Sequence, residues 1–177
     1  RKQLDLLQAF NRENAAELNA GRDMKRYAQY LRSQVTELLT GYGKIDIMVC
    51  NAASNPYFGP LTGLKDEVFQ KIMQNNVMSN LWLMNMVGPE MAERKDGAFI
   101  IVSSIGALVG SAHIAAYNMS KAADLSLVKS LAMEWGKHNI RVNAIAPGLI
   151  QTDFAKALWD NPQIRAAQEG KAALKRI

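Results

Sequence analysis

Three short runs rich in apolar residues, IDIMVC at 45–50, AFIIVS at 98–103 and IRVNAIA at 140–146, constrain this chain more than any other feature. Between them lie two stretches with helical periodicity, 65–87, which contains neither Gly nor Pro, and 116–138. Strands alternating with helices in this way are joined by right-handed crossovers and run parallel. Apolar continuity along a strand means that both of its faces are covered. The expected fold class is therefore α/β, a three-layer parallel sheet, with all 177 residues in one domain. Upstream, Tyr27, Leu31, Val35, Leu38 and Leu39 form a stripe of 3.6-residue period, and Gly41-Tyr42-Gly43 ends it. Leu4, Leu6, Leu7 and Phe10 give a helix-like stripe before it, and AAELNAG between the two is weak as a strand. The DFAKALW segment at 153–159 reads as a helix, and the Ala- and Gln-rich stretch from Asn161 as helical or frayed.

At 49% hydrophobic residues the chain is long enough for one sizeable core. It has no apolar run of the eighteen or more residues that a membrane span needs, and no secretory leader pattern at its start. Cys50, the one cysteine, rules out an internal disulfide and fits a reducing compartment: the cytoplasm, with the peroxisome left open. His113 and His138 stand apart from any carboxylate cluster, so no metal site is expected. The net charge of +5 comes from the ends, because setting aside Arg1, Lys2, Lys171, Lys175 and Arg176 leaves zero. A nucleic-acid partner is discounted on that ground.

In a parallel sheet, Asn51, Ser104 and the Pro147-Gly148 pair all fall just past the carboxyl ends of strands, and so converge on one rim. Open α/β sheets bind their ligands there. Tyr117 and Lys121 are four apart in a helical segment, which sets phenol and ammonium on one face. A fixed positive charge beside a phenol favours the phenolate, so the pair can transfer a proton near neutral pH with Lys121 lowering the tyrosine's pKa. A solvated lysine and an ordinary core tyrosine would give the same spacing. Ser104, thirteen residues before the tyrosine, places a hydroxyl where it can donate to a carbonyl oxygen and stabilise a developing alkoxide.

Taken together, Asn51-Ala52-Ala53 after IDIMVC, Asn76 in MQNNVMSN, Ser104, Tyr117-x-x-x-Lys121 and NAIAPGLIQT at 143–152 resemble the short-chain dehydrogenase/reductase family. The NAASNPYFGP segment at 51–60 looks most like its carbonyl-reductase and retinol-dehydrogenase-like branch. The resemblance implies a Rossmann-like sheet and a catalytic tetrad of Asn76, Ser104, Tyr117 and Lys121. Lys121 would also bond the nicotinamide ribose, and Asn76 would hold a water linking the lysine to solvent; an asparagine inside a helix can instead cap a local kink. On the cofactor side stand Asn19, Asn51, Ala52, Ala53, Pro147, Gly148, Ile150 and Thr152, with Tyr117 and Lys121. Pro147 fixes φ and Gly148 admits otherwise forbidden dihedrals, so the two can turn the chain around a nicotinamide ring. Asn19 reads equally as a turn or cap residue, and Thr152 as an N-cap for the helix after it. Arg1-Lys2 resembles the basic pair that meets the 2′-phosphate of NADP(H), which favours that cofactor; NAD(H) stays possible, and a solvated helix start explains the pair as well.

Tyr57, Phe58, Ile114, Phe154 and Trp159 around the rim describe an apolar pocket without an arginine, suited to an aldehyde, ketone or alcohol. Sugar or polyol dehydrogenase and 3-oxoacyl thioester reductase are alternatives with the same chemistry, and a catalytically idle dinucleotide-binding regulator is the alternative of another kind. Leu81, Met84, Leu125, Val128 and Trp135 look exposed on the two long helices, whose counterparts in the family pack into homodimers and homotetramers. The family's glycine-rich opening, T-G-x-x-x-G-x-G, has no match here, nor has its last strand. The sequence therefore reads as the middle of a longer protein, and the first apolar run should lack a strand on its inner side.

Overall fold

The computed structural model describes residues 24–177, so the expectations for Arg1, Asn19 and the first helical stripe lie outside the described residues. The first described helix, α1, spans Met24–Tyr42. It buries Leu31 and Val35 and packs Leu38 and Leu39 on the core, as its stripe requires. Gly43, at φ 80°, turns the chain out of it, and its N–H donates to the Leu39 carbonyl at 2.9 Å. A residue with a Cβ would be strained in that left-handed turn.

The three apolar runs form a parallel sheet in the order β1 (Ile47–Cys50), β2 (Gly97–Val102), β3 (Ile140–Ile145). Ile47 pairs with Ala98 and Ala98 with Arg141, while Met48 pairs with Phe99 and Phe99 with Val142. Register partners point to the same face, so this pairing sorts the side chains. Met48, Cys50, Phe99, Ile101, Ile140 and Val142 all face one layer and join Val35, Met84, Val87, Met91 and Leu131 from the helices in a single core cluster. The opposite face carries Ile47, 57% exposed, Arg141, Asn143 and Ile145, 52% exposed. Of the three expected layers, the described residues build the sheet and one helical layer. Coverage of both faces is realised only along much of β2, and β1 and β3 alternate.

The stretch expected as one helix over 65–87 is longer and interrupted. It comprises α2 (Asp66–Met73), a π-helical turn (Gln74–Met78) and α3 (Ser79–Arg94). The helix runs through Gly88 and Pro89 instead of stopping at them. Gly88 is buried under Trp135, whose ring occupies the place a Cβ would take. At its end Arg94 clamps the start of the sheet, bonding Glu90 at 2.8 Å, Asp46 at 3.0 Å and the Ile45 carbonyl.

Helix α4 covers Ala115–Trp135, and Asn139, left-handed at φ 60°, turns the chain into β3. The apolar positions expected to be exposed on these helices are not: Met84 is fully buried, Val128 packs on the core, and the Trp135 ring lies 5.3 Å from that of Phe99. Leu81 and Leu125 are half-buried. The core consumes residues that helix periodicity alone assigned to an outer face. After β3 come a 3-10 turn (Asp153–Ala155), the short α5 (Lys156–Trp159) and α6 (Pro162–Lys171), which Asn161 caps by accepting from the Gln163 and Ile164 N–H groups.

Candidate active site

The carboxyl ends of β2 and β3 are tied together just where the rim begins. Ser103 N–H donates to the Ile145 carbonyl at 2.9 Å, and Ile105 N–H to the Pro147 carbonyl at 3.0 Å. These two bonds set Pro147 beside Ser104. Ser104 then caps a 3-10 turn over Ile105–Leu108, its Oγ accepting from Gly106 N–H at 3.0 Å, which leaves the hydroxyl proton free to donate. Ser103, one residue earlier, is buried and donates from Oγ to the Lys121 carbonyl at 2.8 Å, pinning α4 to the end of the strand.

Lys121 is 1% exposed. Its Nζ donates to the Val102 carbonyl at 2.9 Å and to Asp124 Oδ2 at 3.1 Å, and lies 5.9 Å from the centre of the Tyr117 ring. An ammonium has three donors, so one is left without a partner among the described residues. Tyr117 is half-buried, with the Phe154 ring 6.2 Å away. Burial raises its phenol pKa, the Ser104 hydroxyl opposes that, and the Asp124 carboxylate adds to it. On balance the phenol pKa is thus raised, where the spacing predicts a lowering by Lys121. The phenol faces an ion pair, in which the charge of Lys121 is balanced by Asp124. Burial likewise raises the Asp124 carboxyl, against the pull of Lys121 and the hydrogen bond from Asn80.

Asn76 sits in the π-helical turn and is fully buried. Its side chain is saturated: Oδ1 accepts from Ser54 N–H at 2.7 Å, and Nδ2 donates to the Ser54 carbonyl at 3.0 Å and to Ser120 Oγ at 2.9 Å. It ties the loop after β1 to α4, and Asn75 adds a bond to Ser54 Oγ at 3.1 Å. The loop held this way presents Asn51, exposed, and Ala52 and Ala53, half-buried. Across the rim Gly148, Ile150 and Thr152 are exposed. Gly148 does not adopt a left-handed backbone, contrary to expectation, and a Cβ there would make only ordinary contact with Ile105. Nor does the Thr152 hydroxyl cap the following turn; its carbonyl instead accepts from Trp159 Nε1 at 2.7 Å.

Of the aromatic residues expected around the rim, Phe58 stacks on His113 at 5.1 Å, and Tyr57 turns its hydroxyl back onto the Pro60 carbonyl. Sequence reasoning missed Ser54, Asn80, Ser103, Ser120 and Asp124. For Asn80, Ser120 and Asp124 the signal was the recurrence of polar residues at helical spacing, Asn76 with Asn80 and Ser120 and Lys121 with Asp124; Ser54 and Ser103, in a loop and at a strand end, carried no such signal. No group of three or more His, Cys, Asp or Glu side chains suited to a metal occurs among the described residues.

Sheet order, crossovers and rim place the molecule in the Rossmann-like α/β class. The chain belongs to the short-chain dehydrogenase/reductase family: the family model described as enoyl-(acyl carrier protein) reductase matches residues 4–177. It is similar to dehydrogenase/reductase SDR family member 4 of Bos taurus, 43% identical over 136 residues, which are 77% of this chain and 49% of that protein. The chain spans about half the length of the curated relatives it matches. Among solved structures it is similar to a putative gluconate dehydrogenase from Agrobacterium tumefaciens, with a TM-score of 0.76 at 28% identity, covering 82% of this chain and 58% of that one. It is also similar to a gluconate 5-dehydrogenase from Burkholderia cenocepacia in complex with NADP and tartrate, with a TM-score of 0.78 at 25% identity, covering 82% and 57%.

Proposed function

We propose that the protein carrying this chain transfers a hydride between NADP(H) and an aldehyde, ketone or alcohol, with NAD(H) as the alternative cofactor and Tyr117 as proton donor and acceptor. The observation that carries this reading is the meeting, at one rim, of the Ser104 hydroxyl, the Tyr117 phenol and the buried ammonium of Lys121. Asn51, Ala52, Ala53, Pro147, Gly148, Ile150 and Thr152 would hold the cofactor along the strand ends. The unpaired N–H of Lys121 would serve it too, as would Arg1 and Asn19 outside the described residues. When bound, the cofactor supplies the hydride chemistry. The protein orients the carbonyl through Ser104 and holds a proton on Tyr117, whose raised pKa keeps the phenol protonated at neutral pH, the state that carbonyl reduction uses.

Exposed Phe58 and Phe154 support an apolar substrate. The likeness to two gluconate dehydrogenases favours a second reading, a sugar-acid or polyol substrate. A panel of aromatic ketones against polyols separates the two. The same proposal includes one domain, a homodimer or homotetramer, and a cytoplasmic or peroxisomal place of action. In the intact protein Tyr117→Phe should abolish turnover and leave cofactor binding nearly unchanged, because only the proton carrier is lost. Residual activity within about tenfold of the parent rejects the assignment. NADPH should give the higher kcat/KM, and a preference for NADH would remove the role given to Arg1.

A further inference from the structure

Asp124 is wholly buried, an unusual place for a carboxylate, and nothing in the reaction proposed above uses it. It lies one turn beyond Lys121 on α4. Its Oδ2 accepts from Lys121 Nζ at 3.1 Å and its Oδ1 from Asn80 Nδ2 at 2.9 Å. Asn80 is itself 1% exposed, and its Nδ2 also donates to the Asn76 carbonyl at 2.7 Å. Thus both oxygens of the carboxylate are engaged, one by each of two helices. From the sheet, the Cys50 thiol of β1 faces the same pair, its pKa raised to about 12 by burial and by Asp124, so it stays neutral and adds no charge. Around the phenol the facing groups are Ser104 from the end of β2, Phe154 from the loop after β3, and the Lys121–Asp124 pair on its own helix.

We propose that Asp124 is a positioning residue for Lys121: held by Asn80, its carboxylate fixes the ammonium beneath the Val102 carbonyl and balances its charge in front of Tyr117. A lysine this deeply buried needs a compensating charge. Asp124 supplies it and takes one of the three N–H donors. With Val102 taking the second, the direction of the third is set by tetrahedral geometry, away from both partners. Asp124 thereby decides where the free donor of Lys121 points and how much positive field reaches the phenol. Two nearby unit charges of opposite sign nearly cancel at a third group, whereas a lone ammonium favours the phenolate.

The inference rests on the roles proposed for Tyr117 and Lys121, and its test does not depend on turnover. In the intact protein the phenolate of Tyr117 is titrated by ultraviolet difference absorption, with Tyr117→Phe as the blank for the other tyrosines. Asp124→Asn removes the balancing charge, and the titration of Tyr117 should move to lower pH than in the parent. Asp124→Ser, neutral and without an amide opposing Asn80, should move it the same way. A curve that stays in place or moves up in the folded variants overturns the proposal. Should neither neutral variant fold, adding Lys121→Met must restore cooperative unfolding, because the stranded ammonium is then gone; failure to restore it also overturns the proposal. If Tyr117→Phe turns over like the parent, the catalytic reading fails while the titration shift is still measurable.

Discussion

Asn76 shows how much a single side chain can hold. It fills three hydrogen bonds while fully buried, two to the backbone of Ser54 and one to Ser120. Ser120 Oγ in turn donates to the Tyr117 carbonyl at 2.7 Å, so one asparagine links the loop after β1 to the helical turn that carries the phenol. The family resemblance gives it a water to hold; the geometry gives it a loop. Truncation leaves the Ser54 N–H and carbonyl without partners at a half-buried position, and an unsatisfied group shielded from water costs about 1–3 kcal/mol. Asn76→Ala should therefore lower unfolding stability by about that amount, read as a shift of the denaturant midpoint with the slope unchanged. A purely solvent-linking role would leave the midpoint where it is, and that outcome would reject the clamp.

Among the elements, α3 departs furthest from propensity. Glycine and proline in succession usually end a helix, yet α3 continues through Gly88-Pro89 to Arg94. The compensation is tertiary: Gly88 lets Trp135 of α4 lie against the helix backbone, and Trp135 in turn meets Phe99 of β2. Replacing Gly88 by Ala gains up to about 1 kcal/mol of helix propensity. Forcing a methyl into the space of a packed indole costs about 1–3 kcal/mol. The second effect wins, so Gly88→Ala should destabilise the protein by about 1 kcal/mol. In a Trp135→Leu background, with the ring gone, the same substitution should become neutral or stabilising; destabilisation of equal size in both backgrounds would exclude the ring as the cause.

At the scale of the molecule, β1 is an edge of the sheet that the described residues form. Among the described residues it pairs only with β2, and its far side keeps unpaired backbone groups beside Ile47, which is 57% exposed. The sheet face turned away from the helices adds Ile145 at 52% exposed. An apolar edge next to an apolar face is a template for association, which folded proteins cover, charge or pair. The 177-residue chain expressed by itself should therefore not stay monodisperse, and should bind dinucleotide weakly if at all. A folded 19.6 kDa monomer in sedimentation that reduces a carbonyl with NADPH would contradict both expectations.

The parallel sheet, its three strands, the rim and the positions of Ser104, Tyr117 and Lys121 could all be read from the chain, because period, strand-helix alternation and spacing are local properties. Tertiary structure alone decided which helix faces became core, as at Met84 and Val128, since burial depends on what arrives from elsewhere in the chain. It decided that Gly148 keeps an ordinary backbone, although the Pro147-Gly148 pair reads as a turn in sequence. It also decided the electrostatics of the candidate site. A lysine four residues from a tyrosine predicts a lowered phenol pKa, but whether that charge reaches the phenol depends on its nearest partner, and here the partner is Asp124, held in place by Asn80 from another helix.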